Sequence, residues 1–250
     1  MILYKYYPCD LNTFKSLAVR GLWCHLPDKM NDPVECLSPI NRTFSLEEIN
    51  NAKEYINKID NPQEIIKKIQ SFNNEDFVSY INKTRYEAIQ KYAFCSLSEN
   101  PLDMLMWSHY ANSHNGIVIG IEFDDNELMD HHFQKVEYID VLPQYNIKKL
   151  IDFMQMSKDE LPDSSPLLDY FLKDISVKLK LWGGEQEWRI WRSFPTYYHY
   201  NINKIKEIYF GLKCGCEVKA LILNILGAEL PDDFIYYEVE LKLDPIRLSI

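Results

Sequence analysis

A short run of charged and aromatic residues late in the chain has the composition of a reactive site. The run is Gly183-Gly184-Glu185-Gln186-Glu187-Trp188-Arg189. Because side chains alternate between the two faces of a strand, we expect Glu185 and Glu187 to share one face with Arg189. A cation beside carboxylates keeps them ionised, and an ionised carboxylate can stabilise positive charge in a transition state. The alternative is an edge strand whose charged residues oppose aggregation.

A second group of candidate site residues lies in the middle of the chain. Alternation places Ser96 and Ser98 on one face of a strand, where two hydroxyls could face a cleft, although Ser98 could equally cap the next helix. On that helix His109 is a candidate catalytic group, and Trp107 and Tyr110 are candidate ligand contacts. Core packing of the two aromatic residues and a structural role for the histidine are the alternatives.

Two other motifs bear on ligand and metal binding. Asn31-Asp32-Pro33 favours a turn, because Asn and Asp close turns through their own backbone, and a ligand-facing role for Asn31 and Asp32 is the alternative. His109 and His114 are five residues apart, which does not place two metal ligands on one helical face. No metal site is therefore expected there.

Alternating and helical patterns predict the elements that must position these residues. Apolar and β-branched runs predict strands at 2–7, 22–26, 92–98, 117–123, 135–141, 188–191, 207–211 and 235–241. Helical spacing predicts helices at 10–21, 103–113, 146–157, 166–181 and 217–226. Between 45 and 92 the pattern changes to helical stripes that begin with a capping box, which indicates an inserted helical segment. Strands and helices mix without regular βαβ repeats, so an α+β fold is favoured.

Length and composition narrow the class of protein. The chain has 250 residues, of which 46% are hydrophobic, and this fits a single domain over 1–250 with the helical insertion inside it. The net charge of −10 argues against a non-specific grip on a nucleic-acid backbone. Six scattered cysteines are typical of reduced thiols, and no apolar run is long enough to span a bilayer. We therefore expect a cytoplasmic protein without a membrane partner.

The combination of motifs resembles a bacterial family of unknown function, domain-of-unknown-function family 2971. The resemblance covers nearly the whole chain. The segments that carry it are Tyr4-Lys5-Tyr6, Leu22-Trp23, Asn31-Asp32-Pro33, Phe94 to Asn100, Met106-Trp107-Ser108-His109-Tyr110, Gly116 and Glu185 to Arg189.

The order of elements is also similar, more distantly, to that of ADP-ribosyltransferase-like enzymes, including toxins that modify DNA or RNA. This likeness implies a split, mainly antiparallel sheet and cleavage of NAD at its nicotinamide–ribose bond. By position, Glu187 matches the catalytic glutamate and Glu185 the acid upstream of it. Ser96 and Ser98 match the hydroxyls of the middle strand. The first-strand position falls on Tyr4, Lys5 or Tyr6, with Lys5 where an Arg or His is usual.

The resemblance implies NAD as substrate, no metal, and a protein or nucleic acid as acceptor, as in a toxin or antiphage effector. A non-catalytic module that binds a nucleotide or protein, and a metal-dependent nuclease, are the alternatives. The strongest geometric expectation is that the candidate groups meet in one cleft. These groups are Glu185, Glu187, Arg189, Ser96, Ser98, His109 and the Asn31-Asp32 turn.

Overall fold

A computed structural model describes most of the chain. The described residues are 1–30, 36, 45–58, 67, 71–141, 171–173, 175–227, 230–243 and 246–250. The predicted Asn31-Asp32 turn and the predicted 146–157 helix lie outside them, as does the first part of the 166–181 helix.

The described elements alternate along the chain in the mixed order that the sequence predicts. The helices are α1 (Leu11–Ala18), α2 (Leu46–Lys58), α3 (Asn74–Ile89), α4 (Met104–Tyr110), α5 (Asp125–Met129) and α6 (Cys216–Leu226). The strands are β1 (Ile2–Tyr7), β2 (Gly21–Trp23), β3 (Ala93–Ser98), β4 (Ile117–Glu122), β5 (Phe133–Lys135), β6 (Glu137–Ile139), β7 (Val177–Leu179), β8 (Glu187–Arg192), β9 (Tyr197–His199), β10 (Ile205–Phe210), β11 (Ile235–Glu238), β12 (Glu240–Leu243) and β13 (Ile246–Ser249).

Seven of these strands form one sheet in the order β11-β10-β4-β1-β3-β8-β5. All neighbours in it are antiparallel except β10 and β11, which run parallel. Three two-stranded sheets, β2-β9, β6-β7 and β12-β13, accompany it. The prediction of an α+β fold with a mainly antiparallel sheet is confirmed.

The pairing between β1 and β3 is much shorter than the pairings on either side of it. β1 matches β4 residue by residue from Ile2 to Tyr7, whereas it pairs with β3 only through Tyr4 and Ser98. Farther along β3, the partner of Phe94 is His25 rather than a β1 residue. The sheet therefore opens between β1 and β3, at the level of Ser96.

The two faces of the sheet bury different cores. One face, with Leu3, Leu97 and Ile119 among its buried residues, packs against α1 and α6. On the other face, buried residues of α2 and α3 pack with Phe94 and Trp191. The predicted capping box at the start of α2 is confirmed, since Ser45 and Glu48 bond reciprocally to each other's backbone N–H. The helices of the 45–92 segment thus cover the part of one sheet face that contains Phe94 and Trp191, and their status as an insertion stays a prediction.

Three sequence-based expectations are wrong. The helix predicted to reach residue 181 gives way to β7, where Val177-Lys178-Leu179 pairs in parallel with β6 and tertiary pairing overrides helical spacing. Glu185 ends a 3₁₀ turn, Lys180–Glu185, and Gln186 adopts a left-handed conformation with φ +45°, so strand alternation does not align the two glutamates. The edge-strand alternative fails too, because β8 lies between β3 and β5.

The loop between α4 and β4 depends on a glycine at its end. Asn112, Ser113 and His114 all have positive φ, and the Gly116 N–H then returns to the carbonyl of Ala111 at 2.8 Å. A Cβ at Gly116 would overlap the carbonyl oxygen of Tyr7 and lie 2.9 Å from the Cα of Ala111. Since backbone atoms cannot move aside as a flexible side chain can, this position requires glycine.

We expect Gly116→Ala to lower the free energy of unfolding by about 1–3 kcal/mol, the usual cost of overpacking. Urea unfolding followed by circular dichroism measures the change. Gly183→Ala is the matched control, because a Cβ there would meet nothing within 4 Å. Equal stabilities of the two variants would contradict the close approach at Gly116.

Candidate functional site

A cavity of about 150 Å³ lies where the sheet opens between β1 and β3. Lys5 and Tyr6 of β1 and Ser96 of β3 line it. Glu185 reaches it from the 3₁₀ turn and Glu187 from the start of β8. A larger cavity of about 640 Å³ adjoins it and shares Lys5, Tyr6, Trp23, His25 and Tyr110. The larger cavity falls within the ~300–1,000 Å³ range of small-molecule pockets, so the two together form a ligand-sized cleft.

Glu187 is only 2% exposed, and its carboxylate accepts hydrogen bonds on both oxygens. Oε1 accepts from the Ser96 hydroxyl at 2.6 Å and from Nε of Arg189 at 3.0 Å. Oε2 lies 2.8 Å from Nζ of Lys178 and 3.3 Å from Nη2 of Arg189. The carboxylate is therefore fixed in direction by three donors from three different strands.

Glu185 is held by a smaller set of donors. Its Oε1 accepts from the Tyr110 hydroxyl at 2.5 Å, and its Oε2 accepts from Nζ of Lys178 at 2.6 Å. Lys178 therefore bridges the two carboxylates, and this ammonium rather than strand alternation brings Glu185 and Glu187 together. With Arg189, the cluster contains two buried anions and two buried cations.

The cations decide the ionisation of Glu187. Burial alone would raise the pKa of its carboxyl, but Arg189 and Lys178 outweigh burial and lower that pKa to about 2. Burial also raises the pKa of Tyr138 to about 12, so this neutral phenol accepts the backbone N–H of Glu187 at 2.9 Å. Glu187 consequently presents a permanent negative charge to the cavity at neutral pH.

Arg189 supports Glu187 without lining the cavity. Its side chain is fully buried, its Nη1 donates to the carbonyl of Ile175 at 2.9 Å, and its guanidinium lies 4.6 Å from the ring centroid of Phe94. The guanidinium of Arg189 is thus held by Ile175 and Phe94 as well as by Glu187. Arg189 is therefore a positioning residue for the carboxylate.

The walls of the cavity are aromatic and carry one further cation. Tyr4, Tyr6, Trp23, His25 and Tyr110 line it, together with Lys5, whose Nζ donates to the Ser96 carbonyl at 3.0 Å across the gap. Burial is the largest cause that lowers the pKa of His25, and the charge of Lys5 adds to it. A neutral imidazole, aromatic rings and the ammonium groups of Lys5 and Lys178 therefore line the cavity with the two glutamates.

The structure brings seven of the predicted site residues to this cavity. They are Tyr4, Lys5, Tyr6, Ser96, Tyr110, Glu185 and Glu187. The expectation that all candidate groups meet there is wrong for Arg189, which lies behind Glu187, and for Ser98 and His109, and Trp107 is not a ligand contact in the cavity either. Ser98 is fully buried and donates to the carbonyl of Glu185 at 2.7 Å, Trp107 is buried against Tyr6 and donates to the carbonyl of Pro101, and His109 is exposed.

Three polar groups of the site were not predicted. Lys178 lay in a segment predicted to be helical, and no local pattern indicates which lysine will be buried. Trp23 and His25 were assigned to a strand without a role, although an aromatic residue and a histidine separated by one residue share a strand face. That spacing is the one signal in the sequence that could have pointed to them.

Acid is expected to weaken the fold through Glu187. Its pKa in the folded protein is about 2, below the ordinary 4.5, so its stabilising contribution is complete above pH 4.5 and is lost as the pH falls towards 2. Urea midpoints of the wild type should therefore fall across this window. Glu187→Gln has no carboxyl to protonate at this position, so its midpoint should fall less steeply. If the urea midpoints of the two proteins fell equally with pH, the assignment of this acid sensitivity to Glu187 would be contradicted.

No helix in the described part of the chain combines the length and the apolar character that a membrane crossing requires. No curated protein and no solved structure matches the chain, so an ADP-ribosyltransferase type of sheet stays a prediction. Residues 106–190 match the model of a family described as a protein of unknown function, DUF2971. This segment contains Tyr110, Lys178, Glu185 and Glu187. The resemblance to the DUF2971 family is therefore shown over the stretch that supplies both carboxylates of the cavity.

Proposed function

We propose that the cleft binds NAD and that the chain is an ADP-ribosyltransferase-like enzyme that breaks the bond between nicotinamide and ribose. The observation that carries the proposal is the buried, ionised carboxylate of Glu187 at a cavity in the split of the sheet. It is oriented by Ser96 and accompanied by Glu185.

The reaction needs a fixed negative charge more than it needs a proton carrier. As the N-glycosidic bond breaks, its electron pair leaves with nicotinamide and positive charge develops on the ribose. A carboxylate whose pKa is about 2 stays ionised throughout and stabilises that charge without being protonated. A nucleophilic atom of the acceptor then forms the new bond to the ribose carbon, and the acceptor loses a proton.

The second carboxylate and the walls suit the rest of the substrate. Glu185 shares Lys178 with Glu187 and is bonded to Tyr110, so it can accept from a ribose hydroxyl or from an acceptor group. Tyr6, Trp23 and Tyr110 offer faces on which a nicotinamide ring can stack. The adjoining cavity of about 640 Å³ has room for the remainder of a dinucleotide.

The acceptor is proposed to be a macromolecule, and a protein fits better than a nucleic acid. The net charge of −10 opposes binding to a phosphate backbone. The resemblance described above agrees with a cytoplasmic toxin or antiphage effector and leaves the acceptor open, so the charge alone favours a protein.

A module that binds a nucleotide without turnover is the second candidate, and one observation favours it. Lys178 lies within 2.8 Å of a carboxylate oxygen of both glutamates, and Arg189 lies within 3.0 Å of Glu187. Two cations next to two anions leave the cluster formally neutral, which reduces the stabilisation available to a positively charged transition state. A metal-dependent nuclease is disfavoured at this site, because Mg²⁺ would have to displace a buried ammonium from the carboxylates.

The test uses the purified chain with NAD labelled either in nicotinamide or in adenine. Reactions contain cell extract as a source of acceptors, with and without EDTA. Release of labelled nicotinamide, and transfer of the adenine label to a macromolecule, are expected to continue in EDTA. Saturable NAD binding without release would favour the second candidate. The absence of both NAD binding and nicotinamide release would overturn both candidates.

A further inference from the structure

We propose that the turn Asp130-His131-His132 is a binding site for one divalent transition-metal ion of the Zn²⁺ class. The turn connects α5 to β5 and contributes no residue to the cleft described above. Its residues are also absent from the proposed reaction, so the inference stands apart from the proposed function.

The donor atoms of the three residues converge. Nδ1 of His132 lies 2.9 Å from Oδ1 of Asp130, and Nδ1 of His131 lies 3.7 Å from the same oxygen. One ligand atom from each residue lies within 4.8 Å of the other two. A tetrahedral ion with bonds of ~2.0–2.2 Å separates its ligands by roughly 3.3–3.6 Å. The 2.9 Å separation is a hydrogen bond that an ion would replace, and the 2.9 and 3.7 Å separations lie on either side of the required spacing.

One ring nitrogen of His131 has no fixed role. Its Nε2 is buried and has no hydrogen-bond partner among the described residues. No hydrogen bond at that nitrogen therefore fixes which ring nitrogen of His131 carries the proton.

The backbone of the turn is fixed independently of any metal. The Phe133 N–H donates to the carbonyl of Asp130 at 2.8 Å, and the carbonyl of His132 accepts from the Trp191 N–H at 2.8 Å. The side chain of Gln134 donates to the carbonyl of His131 at 2.5 Å. The ligands are consequently close to their binding positions before an ion arrives, which reduces the entropy lost on binding.

Ligand types and exposure define the kind of site. Two imidazoles and one carboxylate suit Zn²⁺, Ni²⁺ and Fe²⁺ better than Mg²⁺ or Ca²⁺, which prefer oxygen ligands alone. Three protein ligands leave at least one position for water or for a group from another molecule. The side chains of Asp130, His131 and His132 are 49%, 25% and 16% exposed, so an ion can reach them from solvent.

The experiment is a calorimetric titration of the full chain, without a polyhistidine tag, with ZnCl₂ after treatment with EDTA. We expect one site that is weakened at least about tenfold in His131→Ala, in His132→Ala and in Asp130→Asn. His109→Ala is the matched control and should bind as the wild type does, because His109 is exposed and lies on α4. Circular dichroism of each variant establishes that it is folded.

A second measurement separates this site from the cysteines. Co²⁺ bound by nitrogen and oxygen gives weak visible bands without the strong near-ultraviolet charge-transfer band of a thiolate ligand. Unchanged Zn²⁺ affinity in a folded His131→Ala/His132→Ala double variant would overturn the proposal. A thiolate band that persists in this variant would also overturn it, because the ion would then be at cysteines such as Cys214 and Cys216.

Discussion

Replacement of Arg189 by methionine is expected to lower the free energy of unfolding by about 3–5 kcal/mol, the usual cost of breaking a buried ion pair. Arg189 is fully buried and bonds to Glu187 and to the carbonyl of Ile175. Methionine fills most of the volume but leaves the buried carboxylates of Glu185 and Glu187 to share one cation, Lys178. The change in the midpoint of urea unfolding measures the loss.

The matched control is Lys180→Met, which breaks the ion pair between Lys180 and Asp140 on the surface. The two side chains of that pair are 60% and 73% exposed, so the expected change is below about 1 kcal/mol. The double variant Arg189→Met/Glu187→Leu should regain stability relative to Arg189→Met, since it removes the uncompensated charge. A loss below 1 kcal/mol in Arg189→Met would show that the pair is not the support of Glu187 described above.

Glu187→Gln is expected to reduce the release of nicotinamide from NAD by about 10²–10³-fold if the proposed function is correct. Glutamine keeps the shape of the side chain, and its oxygen can still accept from Ser96 and Arg189. The negative charge is lost, however, and the amide nitrogen replaces an acceptor beside Lys178. Initial rates at saturating NAD, measured well below the melting temperature of the variant, give the effect on the chemical step.

Two comparisons keep this result distinct from a loss of structure. His109→Ala changes an exposed residue of α4 outside the cavity and should retain the wild-type rate. NAD affinity of Glu187→Gln should change much less than its rate, because the charge is needed mainly in the transition state. A folded Glu187→Gln variant with the wild-type rate would exclude Glu187 as the catalytic carboxylate.

Strong local patterns predicted most of the sheet. The alternating or continuous apolar runs at 2–7, 92–98 and 117–123 correspond to β1, β3 and β4 within one residue at each end. The helix predicted at 10–21 runs from Leu11 to Ala18, and Asp10 caps its first turn. These elements were predictable because their side-chain periodicity and capping residues act locally and agree with the final packing.

The arrangement of the cavity was predictable only in part. Residue types indicated Glu185, Glu187 and Ser96 as chemistry-bearing groups, and the structure places them at one cavity. The reason for their meeting was not in any local pattern, because Lys178 joins the carboxylates from a strand that itself depends on pairing with β6. The exposure of His109 also depends on a contact between distant parts of the chain. Trp107 packs against Tyr6, and this contact sets the orientation of α4.

The short pairing of β1 with β3 has a mechanical consequence. Within the large sheet, β11, β10, β4 and β1 form one half, β3, β8 and β5 form the other, and the ladder joins the halves only at Tyr4 and Ser98. A change in their separation disturbs far less of the ladder than a shift of β1 against β4 would. The cavity lies across this seam, with Lys5 on one side and Glu187 on the other. We therefore expect the occupancy of the cavity and the width of the seam to be coupled, with a bound molecule holding β1 and β3 at one separation.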